Sequence, residues 1–145
     1  MKEYRRKFTE TLRLLPSGLL TAAVLGLLFW LTLAPHPLPE EDIPAFPGAD
    51  KVAHAVMFGG VYFVMMFDWT GWTRRRGDKT ATAGTGVALA AAGICVALGG
   101  GIELLQGSMG LGRGCEWWDF VADCAGVALS VWVSPPVIRW LEGPG

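Results

Sequence analysis

At 145 residues the chain is long enough for one domain, and it is 52% apolar but only 17% charged, where soluble domains carry about a quarter charged residues. A net charge of −1 gives no overall pull towards nucleic acid, so no nucleic-acid partner is expected. Cys95, Cys115 and Cys124 form no CxxC pair, which excludes a zinc ribbon and a thioredoxin-type site.

Four apolar segments account for the missing charge. The first runs from Leu14 to Ala34, about the 20 residues that a helix needs to cross roughly 30 Å of hydrocarbon. Lys2, Arg5, Arg6, Lys7 and Arg13 precede it. The rival reading is a signal peptide cut near Thr32–Ala34, but the run exceeds an h-region of about 7–15 residues, so a retained helix is expected.

Residues 35–49 hold five prolines and the acids Glu40, Glu41 and Asp42. Proline removes donors and breaks helices, so this stretch reads as a loop. The second helix is expected over about 51–69, the third over 80–106, and the fourth over 117–134, stopping at Pro135–Pro136. A helix over 117–124 also holds the Cα atoms of Cys115 and Cys124 beyond the roughly 7 Å a disulfide spans. Gly86/Ala90 and Gly93/Ala97/Gly101 recur four apart on the third segment and predict close packing within the chain rather than a dimer. Oligomerisation is not indicated. The glycines near Gly99 and at 107–114 match neither a P-loop nor a dinucleotide fingerprint.

The expected fold is therefore all-α: an integral-membrane four-helix bundle in a single domain, 1–145. Positive residues collect on the cytoplasmic side of short loops. With the N-terminus inside, ten of the twelve Lys/Arg lie inside and only Lys51 and Arg113 outside. Both termini are then cytoplasmic, and Trp30, Trp117 and Trp118 fall near the outer interface.

On this topology the remaining polar residues converge. Asp50, Lys51 and His54 open the second helix, Glu103 and Gln106 close the third, Arg113 lies in the loop, and Asp119 and Asp123 open the fourth. Spacings of three or four put each group on one helix face. Taken singly, Asp50 and Asp119 read as helix caps and His54 as an interfacial packing residue. Taken together, on three segments at one membrane depth, they predict one outward-opening polar pocket, because charge buried in a membrane has to pair. One histidine among acids is a poor zinc signature, so neither a metal nor a cofactor is expected.

The segments Asp50-Lys51-Val-Ala-His54, Glu103-Leu-Leu-Gln106 and Arg113…Asp119-Phe-Val-Ala-Asp123-Cys-Ala-Gly126 resemble, in order and spacing, the pattern of the VanZ-like family. Asp123 stands where that family usually has Asn. The resemblance implies a multi-pass protein of the bacterial cytoplasmic membrane. The family is named for a protein linked to teicoplanin resistance, but it brings no enzymatic mechanism, and resistance is not a safe assignment for this chain.

Three functions fit these residues. The first is binding or handling of a cell-envelope amphiphile, a lipid or lipid-linked precursor, with Lys51 and Arg113 on an anionic group and the acids on an amine. The second is an intramembrane enzyme acting on lipid headgroups, with His54 and Asp50 as base and orienter, Glu103 as acid, and Ser108 or Cys115 as the only reachable nucleophiles. The third is a small proton- or ion-coupled carrier.

Overall fold

The computed structural model describes residues 2–34, 46–78, 83–109 and 116–142. Among them every regular element is a helix: α1 (Lys2–Arg13), α2 (Leu19–Leu33), α3 (Ala49–Arg75), α4 (Thr85–Met109) and α5 (Trp117–Glu142). Three of them, α3, α4 and α5, are long and apolar enough to cross a membrane.

The first apolar run differs from expectation. Pro16 and Gly18 break it, and Gly18 takes φ 83°, a left-handed conformation that glycine enters without a Cβ penalty. The helix then starts at Leu19 and has 15 residues, about 22 Å. The basic stretch in front forms a helix of its own, α1, with Tyr4 and Phe8 exposed and Thr9 buried. Arg75, near the end of α3, holds the α1–α2 connection by donating to the Leu15 carbonyl at 3.0 Å and to Ser17 Oγ at 2.7 Å.

α3 exceeds the predicted 51–69 at both ends. Asp50 in its first turn and Arg74 and Arg75 in its last complement the helix dipole. α4 starts at Thr85 rather than at the predicted 80 and ends three residues beyond the predicted 106; residues 79–82 lie outside the described set. The fourth helix does not stop at Pro135–Pro136 but continues to Glu142. Two prolines withdraw the N–H groups that would reach the carbonyls of Val131 and Trp132, yet their fixed φ is helical, and helices in a bilayer tolerate such losses where neighbouring serines help satisfy the backbone. Ser130 and Ser134 are buried here with their hydroxyls 3.0 Å apart, and Ile138 packs into the core beyond the break.

Side-chain contacts give the helix directions. Lys51 meets Asp119 and His54 meets Asp123, so α3 and α5 run parallel. Asp68 accepts hydrogen bonds from the backbone N–H and hydroxyl of Thr21, at 2.9 and 2.7 Å, which sets α2 antiparallel to α3. Gln106 Nε2 donates to the Thr32 carbonyl at 2.8 Å, so α2 and α4 are parallel. One end of the molecule thus collects the start of α3, the end of α4 and the start of α5. Phe58, Tyr62, Leu28, Ile102 and Val127 fill the middle.

The α3–α5 crossing is very close. A Cβ on Gly126 would sit 2.0 Å from the Ala55 carbonyl oxygen, and one on Gly59 would sit 2.9 Å from the Gly126 oxygen. The small-residue stripe of α4 does not do the same. Gly86, Ala90, Gly93 and Ala97 are exposed, and nothing lies within 4 Å of a Cβ on Gly86, Gly93 or Gly101. α4 buries another face, Ala91, Cys95, Gly99, Ile102, Glu103 and Gln106, and that face carries the bulk and the polar partners. Outward-facing positions are apolar: Leu104 is 73% exposed, Leu129 66% and Trp132 81%. Water-soluble monomers rarely show such surface; a membrane protein needs it.

Candidate polar site at the start of α3 and α5

Lys51 lies at the centre of the outer part of the site. Its ammonium donates to Asp50 Oδ2 at 2.7 Å, Glu116 Oε2 at 3.1 Å and Asp119 Oδ1 at 3.1 Å. Asp50 is a neighbour in sequence; Glu116 and Asp119 arrive because α5 starts beside α3. The group is partly exposed, and exposed pairs contribute little individually, so its effect is mainly to hold the start of α5 against α3.

One turn deeper, His54 Nδ1 is paired with Asp123 Oδ1 at 2.9 Å. Asp123 is 1% exposed, and its Oδ2 has no hydrogen-bond partner among the described residues. That oxygen packs on Gly99, where a Cβ would stand 2.8 Å from it. Glu103 reaches in from α4 and is 3% exposed. Its Oε2 accepts the Glu116 backbone N–H at 3.1 Å, while Oε1 has no partner among the described residues. A ring nitrogen of His54 and carboxylate oxygens of Glu103 and Asp119 all lie within 4.8 Å of one another.

Of the predicted residues, Asp50, Lys51, His54, Glu103, Asp119 and Asp123 therefore meet. Gln106 turns away from them towards Thr32. Arg113, like Cys115, lies outside the described residues. The orienting partner of His54 is Asp123 rather than Asp50, because Asp50 is turned towards Lys51 and the residue four positions on in α3 faces α5 instead. Ser108 is exposed and bonded to the Leu105 carbonyl. Glu116 was absent from the predicted set. An acid just ahead of an apolar helical run is a helix-start signal, and that signal marks Glu116.

Below the polar groups, α3 and α5 enclose a shallow apolar groove of about 450 Å³, lined by Val52, Val56, Gly59, Phe63, Gly126 and Leu129 among others. Its upper end is lined by Val52, the residue after Lys51 in α3. At the opposite end of the molecule Trp69 packs against Trp72 with the ring planes tilted by 44°, and Arg76 lies 4.3 Å over the Trp72 ring.

No family model, curated protein or solved structure matches this chain.

Proposed function

We propose that this chain is a four-span membrane protein of the VanZ-like kind that binds a cell-envelope amphiphile, a lipid or lipid-linked precursor, with its headgroup at the polar site and its chain in the α3–α5 groove. One observation carries the reading: five carboxylates gather around one lysine and one histidine at the head of an apolar groove. Lys51 is already engaged by three of the acids, so the surplus negative charge selects the cationic part of a headgroup, such as the amine of a zwitterionic lipid. A groove of this size takes one acyl chain.

In this reading α2 is the fourth span, lengthened by the flanking connections, and basic α1 lies along the cytoplasmic interface as amphipathic helices do. The polar site then faces the outside of the bacterial cytoplasmic membrane, and both termini lie inside. An effect on susceptibility to envelope-targeting antibiotics is the phenotype to examine in a deletion strain. Lipids co-purifying in mild detergent test the binding. One lipid class enriched over the bulk membrane in the wild type, and lost in Val56→Trp, supports it; wild-type protein carrying lipids in bulk proportions refutes it. The paired His54 and Asp123 with Glu103 opposite also favour a second reading, an enzyme acting on lipid headgroups, to be sought as headgroup release from the enriched lipid.

A further inference from the structure

We infer that His54, Glu103 and Asp119 form a binding site for one divalent transition-metal ion, with zinc the best match.

The three donors come from α3, α4 and α5, and their ligand atoms lie within 4.8 Å of one another. A metal bonded at about 2.0–2.2 Å draws its ligands to roughly 3.4 Å apart, a closure that side-chain rotation supplies. Glu103 is set for this. The Glu116 N–H holds one carboxylate oxygen at 3.1 Å, and the other is buried without a donor among the described residues. A buried carboxylate oxygen without a donor is costly, and a cation removes that cost.

His54 provides an independent sign. Its Nδ1 pairs with the buried carboxylate of Asp123 at 2.9 Å. Metal-ligating histidines commonly give their second N–H to a carboxylate, which fixes the tautomer and directs the other nitrogen's lone pair to the ion. Asp119 Oδ1 accepts from the Lys51 ammonium, which leaves the second carboxylate oxygen to face the ion. Lys51 does not substitute for the metal, because of the three ligands it reaches only Asp119 and its other bonds go to Asp50 and Glu116. The outer trio of Asp50, Glu116 and Asp119 also lies within 4.8 Å, but Lys51 occupies its middle.

One imidazole with two carboxylates has fewer nitrogen donors than most three-ligand zinc sites, which is why the sequence alone raised no metal expectation; the buried Glu103 oxygen and the His54–Asp123 pair are what the structure adds. Magnesium and calcium prefer all-oxygen sets, whereas imidazole suits zinc, copper, iron and nickel. The site stands independently of the amphiphile reading, since delipidated protein suffices to test it.

The test is titration of purified, metal-stripped and delipidated full-length protein with Zn2+, Mn2+, Mg2+ and Ca2+, followed by calorimetry. The expected result is one Zn2+ per chain. His54→Gln and Glu103→Gln should weaken it at least 100-fold, and Asp123→Asn about 10-fold. Asp68→Asn, an acid at the far end, should leave it unchanged. Pulsed EPR of the Cu2+-loaded wild type should show a single coupled imidazole nitrogen, a readout that needs no variant to fold. Absence of stoichiometric Zn2+ binding, Mg2+ or Ca2+ binding as tightly as Zn2+, or a copper spectrum without imidazole coupling would each overturn the site. Lipid enrichment without metal binding would remove this inference and leave the proposed function; metal binding without lipid enrichment would do the reverse.

Discussion

Gly126→Ala tests whether the α3–α5 contact sets the architecture. The added Cβ would lie 2.0 Å from the Ala55 carbonyl oxygen and 2.7 Å from its carbonyl carbon and Cα. All three are backbone atoms, so no rotamer change relieves the clash. Restoring ordinary contact near 3.4 Å requires the helices to separate by about 1.4 Å locally (3.4 less 2.0). A radial gap of about 0.5–1 Å already forfeits a quarter to a half of a dispersion well. Overpacking of this kind costs about 1–3 kcal/mol, only partly offset by the roughly 1 kcal/mol that alanine gains over glycine inside a helix. The expected net loss is about 1 kcal/mol, roughly 2–4 °C in Tm for a chain of this size. Gly60→Ala is the control, because nothing lies within 4 Å of its Cβ; it should be neutral or slightly stabilising. Unfolding by mixed-micelle denaturant titration, followed by the fluorescence of the seven tryptophans, measures both. Gly126→Ala proving as stable as Gly60→Ala would refute the close crossing and the register that brings His54 to Asp123.

Asp123→Asn keeps an oxygen to pair with His54 Nδ1 and should change stability by less than about 1 kcal/mol, whereas Asp123→Ala strands the histidine and should cost about 2 kcal/mol by the same titration. Gln106→Leu removes the bond to the Thr32 carbonyl and should cost about 0.5–1.5 kcal/mol, the range for hydrogen bonds between membrane helices; a neutral result would show that α2 is held by other contacts. Asp68→Ala deletes both bonds to Thr21 and should speed hydrogen exchange at the start of α2 while α4 stays protected. In intact spheroplasts an impermeant thiol reagent should label Cys115 and leave buried Cys95 untouched; labelling of Gly77→Cys in place of Cys115 would invert the proposed orientation.

The sequence by itself determined the class of helices. Length and hydropathy locate α3, α4 and α5, with three of the six ends within three residues and the others five to eight away, because a membrane crossing demands a long run of apolar side chains and tolerates little else. It also brought out Asp50, Lys51, His54, Glu103, Asp119 and Asp123, since ionisable groups beside such runs stand out against apolar neighbours. Helix ends were less legible. Pro16 and Gly18 cut the first run, while Pro135 and Pro136 failed to cut the last, and tertiary packing decides which break is tolerated: Ile138, beyond the two prolines, is buried in the core. Pairings were legible only in part: an acid as deep as Asp123 has to find a basic partner, and His54, one of the candidates, is the one it meets. Spacing along one helix puts Asp50 and His54 on a shared face, but only the parallel setting of α3 against α5 gives Asp50 to Lys51 and His54 to Asp123. The small-residue stripe of α4 carries the same pattern as a packing face, yet the close contact forms at Gly59 and Gly126. Local periodicity states which residues share a face; which face meets which depends on contacts between residues far apart in the chain, such as Thr21 with Asp68, 47 positions apart, and Lys51 with Glu116, 65 apart, and no local pattern encodes them.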